Sequence, residues 1–260
     1  MDTLEVLCVT MHQTDFAKLD EMRIASDVLF ANQTDRTDDQ EITSGTHRAR
    51  MISTRTRGVG RNRNIALLYA TGDILLLADD DVSYQPDYER QVLQAFSDNP
   101  KADLIIFSME SVENGQVVGR KILRDRRLHP WNALRHGTFS YAIRRSSLER
   151  ANLWFSTRFG GGAEFSHGED TLFLLDAFRQ GLHVYSSSYC LGQRQVGTST
   201  WFRGYNEDYF FDTGVLYRAA FGRWGYPLLV RYLIRKRDRF RGSISLRQAF
   251  RSAVRGMKHR

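Results

Sequence analysis

Two clusters of carboxylates stand out in this 260-residue sequence by their setting. The first, Asp79-Asp80-Asp81, follows the apolar run Ile74-Leu75-Leu76-Leu77-Ala78 without a break. Three consecutive acids repel one another unless a cation or hydrogen-bond donors compensate. In an arbitrary loop they would form a solvated turn. Directly after a buried-type strand they read as a metal- or ligand-binding feature, because ligands of open α/β sheets sit at the carboxyl ends of strands. An oxygen-rich, partly solvated cluster suits Mg²⁺ or Mn²⁺, which hold diphosphates through one or two carboxylates and water. The second cluster, Gly168-Glu169-Asp170, opens an apolar helical run, 172–178, that Gly181 ends. Acids at a helix start are ordinary, since they cap orphan amides and favour the dipole. The preceding Gly160-Gly161-Gly162 marks either a mobile loop over a site or a tight connection.

The elements that must carry these acids alternate. Strand patterns fall at Leu4–Thr10, Asp27–Ala31, Ala49–Thr54, Asp73–Ala78 and Asp103–Met109, and helical ones at Phe16–Ala25, Asn62–Tyr69 and Pro86–Ser97. A polar connection, Asn32–Thr46, separates the second strand from the third, and Thr71-Gly72 stops the second helix. The continuous Ile/Leu of the fourth strand is typical of a parallel interior strand. This rhythm predicts an α/β fold with an open, mostly parallel sheet and flanking helices. Within 111–165 a hairpin is expected at Asn114-Gly115, next to a basic stretch, Arg120–Arg127.

Composition narrows the class. With 42% hydrophobic residues the chain can bury one sizeable core plus an appendage. Cys8 and Cys190 lie far apart in apolar strands and read as buried thiols of a reducing compartment. No basic n-region precedes the first strand and no apolar run nears the ~20 residues of a membrane span, so a soluble cytoplasmic protein is expected. Charge is uneven. Residues 1–217 hold 24 Lys/Arg and 29 Asp/Glu, whereas 218–260 hold 13 Lys/Arg against Asp238 alone. An anionic partner is therefore expected for the tail only.

The densest motif series is Arg57-Gly58-Val59-Gly60-Arg61-Asn62-Arg63-Asn64, then Ala70-Thr71-Gly72-Asp73, then the three acids. In this series the chain resembles glycosyltransferase family 2, inverting enzymes of the GT-A fold, from Leu4 to about Phe211. The resemblance implies that Asp79 meets the ribose of a nucleotide-sugar donor and that Asp81 ligates the metal, Mn²⁺ or Mg²⁺, bridging the diphosphate. Asp79 is a further candidate ligand, and Asp80 fills the variable middle position. Thr10 and Met11 would line the nucleotide pocket, with Asn32 and Asp35 where the family binds uracil. Here that run reads Asn-Gln-Thr-Asp in place of the commoner Asp-Asp-x-Ser, while a UDP-sugar remains the implied donor. Arg57, Arg61 and Arg63 are candidate phosphate or base-edge contacts, each with the alternative of a solvated helix start. The family's Glu-Asp motif maps on Glu169-Asp170, and Asp170 is taken as the general base, with Glu169 as second choice. Such a base accepts the acceptor hydroxyl's proton as attack develops on the anomeric carbon. One displacement with no enzyme nucleophile inverts that centre.

The expected organisation is a domain over 1–217, with a donor part (1–110) and an acceptor and base part (111–217), followed by a basic helical tail over 218–260. The aromatic run Trp201–Phe211 resembles a segment of bacterial capsule and lipopolysaccharide transferases, and would either stack on acceptor or pack the tail. After Gly225 two helices are expected. In the last, Leu246, Ala249, Phe250, Ala253, Val254 and Met257 share one face, Arg247, Arg251, Arg255 and Lys258 another, and Ser245 with Gln248 forms a capping box. Such helices lie on an anionic membrane or dock on the protein's own core. The first is expected here, with a glycan or lipid-linked acceptor at the inner face of the cell membrane. A haloacid-dehalogenase-type phosphatase would carry its acids on the first strand, and a nucleotidyltransferase would have a glycine-rich, arginine-containing loop after it. A nucleic-acid-binding protein would leave both acid clusters idle, so no nucleic-acid partner is expected.

Overall fold

The computed structural model describes residues 2–118, 121–134, 136–197 and 202–259. Arg120, at the head of the basic stretch, and Trp201, at the head of the aromatic run, lie outside them. The chain runs β1 (Leu4–Met11), α1 (Lys18–Met22), β2 (Asp27–Gln33), β3 (Asp38–Ser44), β4 (His47–Thr54), α2 (Val59–Tyr69), β5 (Ile74–Asp79), β6 (Val82–Tyr84) and α3 (Tyr88–Asp98). It continues through β7 (Leu104–Glu113), β8 (Gln116–Val118), β9 (Arg126–Arg127), α4 (Pro130–Ala133), β10 (Tyr141–Arg144), α5 (Arg145–Arg150), α6 (Glu169–Arg179) and β11 (Val184–Gln195). Helices α7 (Glu207–Phe221), α8 (Gly225–Phe240) and α9 (Leu246–Met257) follow.

One sheet orders these strands β3-β4-β2-β1-β5-β10-β7-β11-β6, with β8 beside β7 and β9 beside β11. The β4-β2-β1-β5 block is parallel throughout, as is β7-β11. The four-residue β10 runs antiparallel to β5 and to β7, so the sheet is mixed and mostly parallel. Every residue of β5 from Ile74 to Ala78 is buried, because the strand is central and covered on both faces. Leu4, Val6, Cys8, Phe30, Leu76 and Ile105 join Tyr88, Val92 and Phe96 of α3 in one core.

The structure departs from the sequence reading at three elements. The polar stretch expected as a connection contains β3, an edge strand whose residues are mostly exposed. It is held by ladder bonds to β4 and by the bidentate Arg50–Asp39 pair, at 2.9 and 2.6 Å, and it shows no apolar alternation. Helix α1 is shorter than expected because Arg23 adopts the left-handed conformation (φ 55°) and ends it. Helix α2 starts at Val59, three residues early. The Asn114-Gly115 hairpin is present as β7-β8, with φ of 50° and 77° at the two loop residues, the pattern of a type I′ turn.

The chain divides into two compact units. The first holds the described residues of 1–57, 61–155 and 173–197, and therefore the sheet; the second holds 58–60, 156–172 and the described residues from 202 onward. In the second unit, α7, α8 and α9 pack around Phe210, Leu229, Leu233, Phe240, Ala249, Ala253 and Met257. The expected boundary at 217 falls inside α7. Ser245 and Gln248 close the capping box that starts α9. None of the described helices is long and apolar enough to cross a membrane.

Candidate active site

Strands β4, β2, β1 and β5 are parallel and in register, so their carboxyl ends open on one edge of the first unit. Thr10 and Met11 end β1, Asn32 and Gln33 end β2, and Asp79 ends β5 opposite Val9. Asp80 and Asp81 form the turn into β6. Asn62 of α2 ties this edge together: its side-chain nitrogen donates to Ala31 O (2.6 Å) and Thr10 O (3.3 Å).

Each acid of the cluster has its own partner. Arg63, almost fully buried, donates to Asp79 at 2.9 Å while its guanidinium lies over the Phe155 ring. The Thr10 hydroxyl donates to Asp80 Oδ2 at 2.5 Å, and Lys18 Nζ donates to the Asp80 carbonyl at 3.3 Å. The Arg194 Nε donates to both oxygens of Asp81, at 2.9 and 3.2 Å, and its guanidinium covers the Phe139 ring. Burial pushes the Asp81 carboxyl above its ordinary range; Arg194 opposes the rise, and the charges of Asp79 and Asp80 add to it. A partly buried carboxylate that is costly to charge gains from a neighbouring cation, a place that Arg194 takes here and a divalent ion would have to share or take over. Among the described residues no group of three or more His, Cys, Asp or Glu side chains is disposed to enclose a metal. Asp81 and Asp79 are the carboxylates at this edge that could hold a divalent ion, as one or two protein ligands.

The remaining candidates of this edge differ in kind. Asn32 is fully buried: its oxygen accepts from Gln13 N (3.0 Å), and its nitrogen donates to Gln13 O (2.9 Å) and Ser53 Oγ (3.0 Å). Its amide is thus turned inward, and it positions the turn after β1. Asp35 is exposed, with its carboxyl held below the ordinary range by the Thr34 hydroxyl. Arg57 reaches back to Thr34 O at 3.3 Å, and Arg61 is exposed on the first turn of α2.

In the second unit, Glu169 and Asp170 form the first turn of α6. Asp170 Oδ1 accepts from Thr171 N at 2.7 Å. Of the two readings of the glycine run, the tight connection holds. Gly160 has φ 105°, and a Cβ there would lie 2.6 Å from Val59 Cγ1 and 2.8 Å from the Glu169 carboxylate. Gly161 O accepts from Val59 N at 2.9 Å. The aromatic run is packing material: Tyr205, Tyr209 and Phe210 join the helical core.

Two residues here lay beyond sequence reasoning. Arg194 is 113 positions from Asp81 and reaches it only because β11 pairs with β6, setting Arg194 opposite Val82. His167, beside the Glu-Asp motif, is half-buried between Tyr209, on which it stacks, and Thr213 Oγ1 at 3.2 Å. Burial lowers its pKa, against the opposing charges of Asp212 and Glu169.

An α/β sheet of this order, with acids at the end of its central parallel strand, defines a GT-A-type fold. Residues 27–154, which include the Arg-Asn helix start and the acid cluster, match the family described as Glycosyl transferase family 2. Those residues carry the glycosyltransferase family 2 pattern, and the protein is a glycosyltransferase. Comparison with curated proteins finds no match. Among solved structures, S. aureus TarS 1-349 in complex with UDP-GlcNAc shares the fold with a TM-score of 0.66 and 16% identity over 97% of this chain and 79% of that one. The same protein in complex with UDP gives 0.62 and 17% over 97% and 81%.

Proposed function

We propose that this glycosyltransferase moves a sugar from a UDP-sugar to a hydroxyl of a glycan or lipid-linked acceptor, with inversion, in the synthesis of a bacterial surface polysaccharide. The observation that carries the reading is the Asp79–Asp81 cluster at the carboxyl end of β5, next to the ends of β1 and β2. TarS, which has the same fold, was crystallised with UDP-GlcNAc and with UDP, and this supports a uridine nucleotide as donor.

Thr10, Met11 and Asp35 line the nucleotide, Asn32 shapes their loop from within, and Arg57 and Arg61 approach the phosphates or base. Asp79, braced by Arg63, faces the ribose or the metal, and Asp80 is braced by Thr10. Asp81, with Asp79 as second ligand, would hold a Mn²⁺ or Mg²⁺ ion, which would supply Lewis-acid stabilisation of the leaving diphosphate. Asp170 accepts the proton of the acceptor hydroxyl, and Glu169 beside it is the other carboxylate able to do so. The basic tail keeps the enzyme on the anionic inner face of the cell membrane, near a lipid-linked acceptor.

A thermal-shift panel of nucleotides and nucleotide-sugars with Mn²⁺ tests the donor, because a ligand at one hundred times its Kd stabilises by about 2.7 kcal/mol. Stabilisation by uridine nucleotides that requires Mn²⁺ in the parent and is absent in Asp81→Ala is expected. Equal stabilisation in that variant, with unchanged Mn²⁺ dependence, would refute the metal assignment.

A further inference from the structure

Helix α8 is apolar on two sides. Leu229, Leu233 and Phe240 enter the core of the second unit. On the other side Trp224, Leu228, Val230 and Ile234 are 67%, 39%, 40% and 63% exposed. At 3.6 residues per turn, positions 224, 228, 231 and 235 recur every three or four residues along one stripe; 234 lies roughly 60° to one side of it, and 230 lies beyond 234, nearer the core-facing side. Arg231 and Arg235 are exposed within that stripe, and the Arg223 guanidinium lies by the Trp224 ring. From Trp224, just before the helix, to Arg235, this outward strip is roughly 17 Å long, and arginines alternate in it with large apolar side chains.

Helix α9 offers no comparable strip. Ala249, Ala253 and Met257, part of the face expected to meet a membrane, are buried in the helical core, and a Cβ on Gly256 would lie 2.0 Å from Phe211 O. What α9 exposes is charge: Arg247, Arg251, Arg255 and Lys258, together with Phe250.

We infer that the outward face of α8 is an interfacial membrane-docking surface. Trp224, Leu228 and Ile234 enter the headgroup–acyl boundary of an anionic bilayer, and Arg223, Arg231 and Arg235 remain at the lipid phosphates. A Trp and aliphatic residues flanked by arginines have the amphipathic chemistry that boundary selects, since long basic side chains bury their stems and keep their heads wet. Charge selects among occupants. The described residues from 218 onward hold twelve Lys/Arg against Asp238, so a second copy docking through the same face would meet like charge. A nucleic acid has no apolar phase for Leu228, Val230 and Ile234. The inference gives the membrane reading of the proposed function a face, while vesicle binding by that face needs no donor or acceptor.

The test is co-sedimentation of the full chain with phosphatidylcholine vesicles and with vesicles that also contain phosphatidylglycerol. It is paired with UDP-sugar hydrolysis and sedimentation velocity. The parent should partition to the phosphatidylglycerol vesicles, with a blue shift of tryptophan emission that Trp224→Phe removes. The double variant Leu228→Glu, Ile234→Glu should lose roughly tenfold or more of that partitioning, as two inserted apolar groups become charges repelled by the lipid. Its donor hydrolysis should be unchanged and its fold retained, since Ile234 is mostly and Leu228 partly exposed. Three results would overturn the inference: vesicle binding by the double variant equal to the parent's, binding by the parent to a soluble polyanion but not to vesicles, or a dimer that the double variant dissociates. Absence of UDP-sugar binding alongside intact, α8-dependent vesicle binding would overturn the donor reading and leave the docking face standing.

Discussion

Gly256→Ala puts the packing of the helical unit to a direct test. Glycine inside a helix costs about 1 kcal/mol relative to alanine, so on propensity alone the change should stabilise α9 by that amount. The tertiary contact predicts the reverse. A Cβ at position 256 would lie 2.0 Å from Phe211 O and 2.9 Å from Phe211 C and Val215 N, all backbone atoms of α7. No rotamer relieves such a contact, and α9 would have to retreat by roughly 1.4 Å to reach the 3.4 Å of ordinary contact. That retreat opens the layer formed by Phe210, Ala249, Ala253 and Met257. Overpacking of a core costs about 1–3 kcal/mol, and a backbone obstacle belongs at the upper end, so the net loss after the propensity gain is about 2 kcal/mol. In a chain of this size that corresponds to a fall in Tm of about 4–8 °C. Urea unfolding followed by circular dichroism should show the loss. Gly242→Ala is the control: nothing lies within 4 Å of its Cβ, and its stability should stay within about 0.5 kcal/mol of the parent. A Gly256→Ala protein as stable as the parent would refute the close helix approach.

Further outcomes follow from the two acid clusters and from His167. Arg194→Gln removes the cation that occupies Asp81, so calorimetry without donor should show tighter Mn²⁺ binding than in the parent; weaker binding would mean that Arg194 organises the site instead of competing for it. Asp170→Asn should keep donor binding and lose roughly 10²–10⁴-fold in transfer, and a loss confined to Glu169→Gln would reverse the assignment. His167 titrates below its ordinary value of 6.5, so the folded state favours the neutral ring. The stability from this preference is complete above about pH 6.5 and declines as pH falls, because the unfolded chain protonates first. His167→Phe should therefore flatten the stability–pH curve below about pH 6.5, and an unchanged slope would show that the ring is not shielded.

Local order made much of the fold legible. β1 and β5 announce themselves because a central parallel strand is apolar on both faces and needs no alternation. The acids at the end of β5, the Asn114-Gly115 turn and the Ser245–Gln248 box depend on neighbours within a few residues, and all three were readable there. Strand β3 was hidden because an exposed edge strand is specified by backbone pairing and cross-strand charges. Strand β10, only four residues long, is placed by the ladders of β5 and β7 on its two sides.

The sequence by itself determined the class of chemistry, since acid type, strand context and motif spacing are all local. Which cation meets Asp81 was decided by strand pairing, across 113 residues. Which tail helix hides its apolar stripe was decided by the glycines of α7 and α9. Gly214 and Gly256 allow those backbones to approach so closely that the stripe of α9 is used internally, while α8 keeps Trp224, Leu228 and Ile234 outside. An amphipathic pattern specifies that a helix has an apolar face. Only the packing of its neighbours specifies what that face meets.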